Sequence, residues 1–134
     1  MTRAPRCRNP LLGPLAAAVL ASVLLLSACF SAPQPPSEPA GITGSVASVV
    51  SGDGRPASML VESTGTPIAG AISDKAQVNI PPATMFFDSS GKVATLDSIA
   101  HIAKGTRVRV WFEGAVAESY PVQGSAKAVQ ILSK

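Results

Sequence analysis

Three patterns of apolar and polar residues follow one another along the chain, and each predicts a different kind of structure. From Leu11 to Leu26 most positions are Leu, Ala or Val. From Gly41 onward, short apolar runs are broken by turn residues, which is the spacing of strands. Ile42–Val50 is rich in β-branched residues, Ser51-Gly52-Asp53-Gly54 closes it with a turn, and Ser58–Ser63 forms a second strand. Ala76–Ile80 alternates and Pro81-Pro82 breaks it, after which Thr84–Phe87 continues or bulges the same strand; Asp88-Ser89-Ser90-Gly91 is a further turn. The third pattern is helical. Leu96, Ile99, Ala100 and Ala103 recur at i, i+3, i+4 and i+7, with Thr95 or Asp97 to cap the start and Gly105 the end.

Thr106–Glu113 then returns to a period of two. It places Val108, Val110 and Phe112 on one face and Arg107, Arg109, Trp111 and Glu113 on the other. Ala126–Leu132 is the last strand, with Ala126 and Ala128 on one side and Val129 and Ile131 opposite. Three strands, a short helix and two strands is the order of a small five-stranded OB-like barrel, the helix plugging its open end. The fold class predicted is therefore mainly β, and a small antiparallel barrel of another topology is the alternative.

The apolar run before the barrel reads differently once its flanks are included. Arg3, Arg6 and Arg8 precede it, and Leu26-Ser27-Ala28-Cys29 closes it. A basic head, an apolar middle and small residues before a cut site make a secretory signal peptide; a Cys directly after them is the pattern of a bacterial lipoprotein signal. A membrane span needs about 20 apolar residues, and Pro10, Gly13 and Pro14 interrupt the first half of this run. The expectation is cleavage before Cys29, acylation of its thiol, and anchoring by acyl chains worth about 0.8 kcal/mol per buried methylene. The protein would then be exported and held on the cell membrane or outer membrane, with Phe30 after the Cys pointing to the outer membrane in a two-membrane cell. Phe30–Ala40 carries Pro33, Pro35, Pro36 and Pro39. At about 3.1 Å per residue, an extended tether of this kind would lift the barrel by roughly 30 Å. The organisation expected is signal peptide 1–28, lipidated Cys and tether 29–40, and barrel 41–134.

Charge and cysteine content narrow the function classes. The chain has a formal charge of +3, but three of its 11 basic residues (Arg3, Arg6, Arg8) and none of its 8 acidic ones lie in 1–28. Residues 29–134 therefore hold eight of each. Nucleic-acid binding needs a basic surplus or stripe, so no nucleic-acid partner is expected. Cys7 leaves with the signal and Cys29 is acylated, so no disulfide or thiolate metal site is available. His101 stands without a second His or a free Cys, which argues against a zinc cluster. No metal, cofactor or catalytic constellation is expected.

Arg107-Val108-Arg109-Val110-Trp111-Phe112-Glu113-Gly114, Glu118-Ser119-Tyr120-Pro121-Val122-Gln123 and Ala126-Lys127-Ala128-Val129 together resemble the C-terminal half of the YobA-like family. These are small exported bacterial proteins, often lipoproteins, with a domain of unknown function. The likeness is sharpest over residues 105–131 and implies a small barrel in the envelope and no particular activity.

Candidate binding residues follow from the OB-like arrangement. The loop Gly114–Gly124 presents Glu118, Ser119 and Tyr120, opposite a loop carrying Asp53 and Arg55, and such loops frame the usual OB ligand face. Alternatively, Glu118 and Ser119 bond loop amides and Tyr120 packs over the barrel mouth. Arg107, Arg109 and Trp111 on one strand face suit a sugar, an anionic head group or a base. The same residues also suit ordinary cross-strand packing, with Glu62 and Glu113 as ion-pair partners. Glu113 and Glu118 as a glycosidase pair would need a cleft that so small a barrel has little room for. His101 is expected on the helix surface. The expectation is a lipid-anchored, non-catalytic binding domain acting through Arg107, Arg109, Trp111, Glu118 and Tyr120. Its partner would be an envelope protein or a small ligand, and the alternatives are an enzyme on envelope glycans or peptides or a structural accessory.

Overall fold

The computed structural model of the chain describes residues 31–63 and 71–134; the expected signal peptide and Cys29 lie outside the described residues. Its strands are β1 (Ile42–Gly52), β2 (Arg55–Glu62), β3 (Lys75–Asn79), β4 (Met85–Phe87), β5 (Arg107–Ala117) and β6 (Val122–Ser133), with one helix, α1 (Leu96–Ala100). The sheet order β3-β2-β1-β5-β6 closes through a parallel β3–β6 pairing. Five strands thus form a closed barrel, mainly β and OB-like, with the short helix between its third and fourth barrel strands.

β1 is shared between two partners. Its first residues, Ile42–Ser45, pair with β5, and the rest, from Ser45 on, pairs with β2. A register shift between Val46 and Ser48 bends it between the two partners. Asp53 (φ 51°) and Gly54 (φ 76°) make the two-residue β1–β2 turn, the primed geometry that Asp-Gly favours. Val78, Val108, Val110 and Val129 are fully buried inside the barrel with Ile42, Val46, Met59 and Val61.

Gly44, paired with Val108 of β5, packs against the backbone at the end of β2. A Cβ there would fall into the Glu62 carbonyl group and 2.8 Å from Ser63 Cα, backbone that cannot swing aside. Gly44→Ala is expected to cost roughly 3 kcal/mol, measured as a lower urea midpoint at unchanged slope. A midpoint equal to the parent's would show that β1 and β2 have room to part.

Several sequence expectations are met and several are corrected. Thr84–Phe87 does continue the line of β3: Asn79 pairs with Ser125 and Met85 with Ala128, so β4 resumes along the same edge of β6 after the Pro81-Pro82 break. The helix is shorter than its apolar stripe implied. Thr95 caps it, its Oγ1 accepting from Ser98 N at 3.2 Å, but it ends at Ala100, and Gly105 (φ 93°) belongs to a later turn. Only Ile99 of the stripe is buried. Leu96 is 84% exposed, and Ile102, beyond the helix end, is the second residue inserted into the core. One turn of helix over a barrel mouth has a single inward position, so the i+3/i+4 rule does not extend to its ends.

The final strand also departs from strict alternation. Trp111 pairs with Ala128 but Phe112 with Ala126, leaving Lys127 as an extra residue. The bulge turns Ala126 inward with Val129 and Ile131, while Ala128 faces out. Finally, the expected loop Gly114–Gly124 is mostly strand. A second register shift between Glu113 and Ala117, with Gly114 at φ 67°, carries β5 to Ala117 and leaves only Glu118–Pro121 as the connection. Among the described residues, no helix is long and apolar enough to cross a membrane.

Candidate functional site

The sequence-predicted residues divide between two places. Arg109 and Trp111 line a groove of about 280 Å³ together with Thr43 of β1, Ser63, Ala71 and the segment Pro36–Ala40. Trp111 faces outward as its strand parity requires, yet it is 4% exposed. Its ring packs with Phe87 and Ala128 under Ala40, and its Nε1 donates to the Glu38 carbonyl at 2.8 Å. Arg109 Nη1 donates to Gln130 Oε1 at 3.4 Å. Arg107 is exposed, paired across β1 to Ser45 and across β6 to Ser133.

Glu118 and Tyr120 sit in the β5–β6 turn. Tyr120 is 70% exposed and its hydroxyl donates to Asp74 Oδ2 at 3.3 Å, while Ser119 Oγ donates to the Pro121 carbonyl at 2.8 Å. Glu62 pairs with Lys75 at 2.8 Å rather than with an arginine, and that hydrogen bond raises the Lys75 pKa. Arg55 opens β2, its guanidinium 5.5 Å above the Phe86 ring. His101 Nδ1 lies 2.7 Å from the Asp97 carbonyl oxygen on the helix surface. Among the described residues, no group of three or more His, Cys, Asp or Glu side chains could hold a metal ion.

The proline-rich segment does not stand free along its length. From Pro35 to Ala40 it lies against the barrel, forming a strap held by the Trp111 bond, by Ala40 on the outer cluster, and by Lys127 Nζ on Glu38 Oε1 at 3.0 Å. That bond from Lys127, before any other cause, holds the Glu38 pKa below the ordinary glutamate value. A lowered folded-state pKa means that the contact is fully formed above the ordinary range and is lost as pH falls through the lowered value. The pair is exposed and contributes little to global stability, but Trp111 reports it locally. Acidification below the ordinary glutamate range is expected to shift Trp111 emission to the red, and Glu38→Gln to abolish that step. A Glu38→Gln protein that titrates like the parent would remove Glu38 from the explanation.

A second face was not singled out by sequence. Across β2, β3 and β6 the outer positions form a groove of about 360 Å³ lined by Ser58, Gln77, Asn79, Gln123, Gly124 and Ser125. Strand pairing sets these in rows: Ser58 beside Asn79 beside Ser125, and Gln77 beside Gln123. Asn79 Nδ2 is 3.5 Å from Ser125 Oγ. No charged side chain lines this groove, and its amides offer donors and acceptors together. It lies on the strand-two and strand-three face that OB barrels use for ligands. The Asp53-Gly54 turn lies toward the Ser58 row and the Glu118–Pro121 turn toward the Gln123 row.

Residues 61–133 match the family described as a protein of unknown function (DUF3221). The chain belongs to this family. The DUF3221 match begins inside β2, so β1, which the barrel needs for closure between β2 and β5, precedes it. Both partners of the β3–β6 closure and every residue of the polar groove except Ser58 fall within the DUF3221 span. No curated protein and no solved structure matches the chain.

Proposed function

We propose that this DUF3221 protein is a lipid-anchored envelope protein whose barrel is a non-catalytic binding domain. In this reading Cys29 carries the lipid, and the barrel takes a neutral, hydrogen-bonding ligand of the glycan kind. The observation that carries the binding reading is the uncharged groove built of Gln77, Asn79, Gln123, Ser58 and Ser125 on the outside of a closed barrel. Amide and hydroxyl side chains fixed on neighbouring strands complement sugar hydroxyls and acetamido groups, which also both donate and accept. The YobA-like assignment within the family rests on the Arg107–Gly114, Glu118–Gln123 and Ala126–Val129 segments, all of which lie inside the matched span. The groove at Arg109 and Trp111 is the second candidate face; one wall of it is the protein's own strap.

Titration with neutral N-acetylhexosamine oligomers, followed by NMR, tests the groove. The side-chain amide signals of Gln77, Asn79 and Gln123 are expected to move together, and Gln77→Leu to weaken binding about tenfold, the equivalent of one lost hydrogen bond. Shifts confined to Trp111 and Arg109 would relocate the site to the strap groove. No shift anywhere with such oligomers would reject the glycan reading.

A further inference from the structure

We propose that the barrel edge formed by β4, the Asp88–Gly91 turn and the start of α1 rests on the lipid surface that holds Cys29. The proposal builds on the lipid-anchor reading above and goes beyond it by fixing which side of the barrel meets the membrane.

The first observation is where the strap leaves the barrel. Pro35 lies beside the Asp88–Gly91 turn, its Cδ 3.5 Å from the place a Cβ on Gly91 would occupy, and the residues before it, 31–34, are exposed. From Pro35 back to Cys29 the chain spans at most about 20 Å, even when fully extended. Docking of Pro35–Ala40 thus removes nearly half of the reach that a free tether would have, and the Gly91 turn is held within that distance of the acyl chains. The headgroup layer alone accounts for several ångströms of it.

The second observation is what this edge displays. Six large apolar side chains are exposed among the described residues, and three of them, Met85 (39%), Val93 (51%) and Leu96 (84%), fall in the single stretch 85–96 around that turn. Strand pairing sets Met85 beside Ala128 and Val93 beside Phe87. Both therefore extend outward from the Phe87–Trp111–Ala128 cluster on which the strap is docked. Leu96 stands at the start of the helix with no burial of its own. The Asp88 carboxylate is engaged within the turn, accepting from the Ser90 amide and hydroxyl and from the Lys92 amide. The Lys92 ammonium, next to Val93 in sequence, is the cation of this edge that anionic headgroups attract; Asp88 and Asp97 are its two carboxylates, so the exposed apolar side chains and not net charge carry the contact. A short leash alone would not require apolar residues, and apolar residues alone would not select a membrane. Together they commit this edge to lipid.

The test uses the acylated protein in vesicles of phosphatidylethanolamine and phosphatidylglycerol containing a headgroup-labelled quencher lipid. Because Cys29 is acylated, a cysteine introduced at Val93→Cys or Leu96→Cys is the single free thiol for a fluorophore. Tyr120→Cys is the reference: it precedes Val122, and Val122 to Gln130 alone, at the β4 end of β6, is about 26 Å of strand. Labels at positions 93 and 96 are expected to be quenched several-fold more strongly than the label at 120. Equal quenching at all three sites in protein that floats with the vesicles overturns the orientation and leaves the anchor standing. Protein that incorporates no acyl chain and does not float overturns the anchor, and this proposal with it. Labels at 93 and 96 that are shielded from an aqueous quencher yet untouched by the lipid quencher assign the edge to a protein partner instead.

Discussion

Val110→Asp is expected to unfold the barrel. Val110 is fully buried and stands between Ile42 of β1 and Val129 of β6, where the two sides of the barrel meet. An aspartate there would lose its hydration with no basic side chain among the buried described residues to receive it. Loss of the packed isopropyl group adds a cavity term. The expected penalty is at least about 4 kcal/mol, a large part of the roughly 5–15 kcal/mol available to a small domain. No cysteine lies within residues 31–134, so no disulfide can reinforce the barrel. Circular dichroism during thermal melting reads this directly. A variant that melts within a few degrees of the parent would place the wrong face of β5 inside. Arg107→Asp, on the opposite parity and exposed, is the control expected to melt normally.

Cys29→Ala has the other large effect, and it falls on location rather than on folding. If Cys29 is the acylation site, the substitution removes the nucleophilic thiol and with it the diacylglyceryl group. The lipoprotein-specific peptidase, which acts on the acylated Cys, then leaves the precursor uncut. The uncut apolar segment can itself hold the protein at a membrane, so fractionation is a poor readout. Metabolic labelling with a palmitate analogue is the direct one: complete loss of label is expected, with a species heavier by the mass of residues 1–28. Retained label would show that the lipid is attached elsewhere.

Much of the barrel was legible because strands declare themselves locally. The alternation Val108, Val110, Phe112 against Arg107, Arg109, Trp111, Glu113 requires only a period of two, and the Asp53-Gly54 turn requires only the φ values those residues tolerate. Errors arose where a local rule met a tertiary constraint. The bulge at Lys127 reversed the expected side of Ala126 because Trp111 and Phe112 both had to find partners across β6. The helical stripe overshoots the helix by one turn because a helix over a barrel mouth buries only what points down, Ile99, with Ile102 just beyond.

The candidate site was less legible. Outer-face polarity at Gln77 and Asn79, and at Gln123 and Ser125, is visible in each strand's own alternation. Nothing local says that the two strands lie side by side. In sequence the strap looks like a free spacer because its partners, Trp111 and Lys127, are 73 and 89 residues from Glu38, and prolines carry no signal of what they rest on.

What the sequence by itself determined was every property that depends on neighbours along the chain. These were the basic, apolar and small-residue order ending at Cys29, the positions of the principal strands, the two faces of β5, and the turn chemistry. What only the tertiary structure decided was every property that depends on closure. The parallel β3–β6 pairing assembles the amide-lined groove, β1 bends between two partners, and Trp111 becomes a covered anchor for the strap instead of an open platform. The physical reason is that strand alternation is imposed residue by residue by backbone geometry. Which strands pair, and with what register, is settled only when the whole apolar face is buried at once.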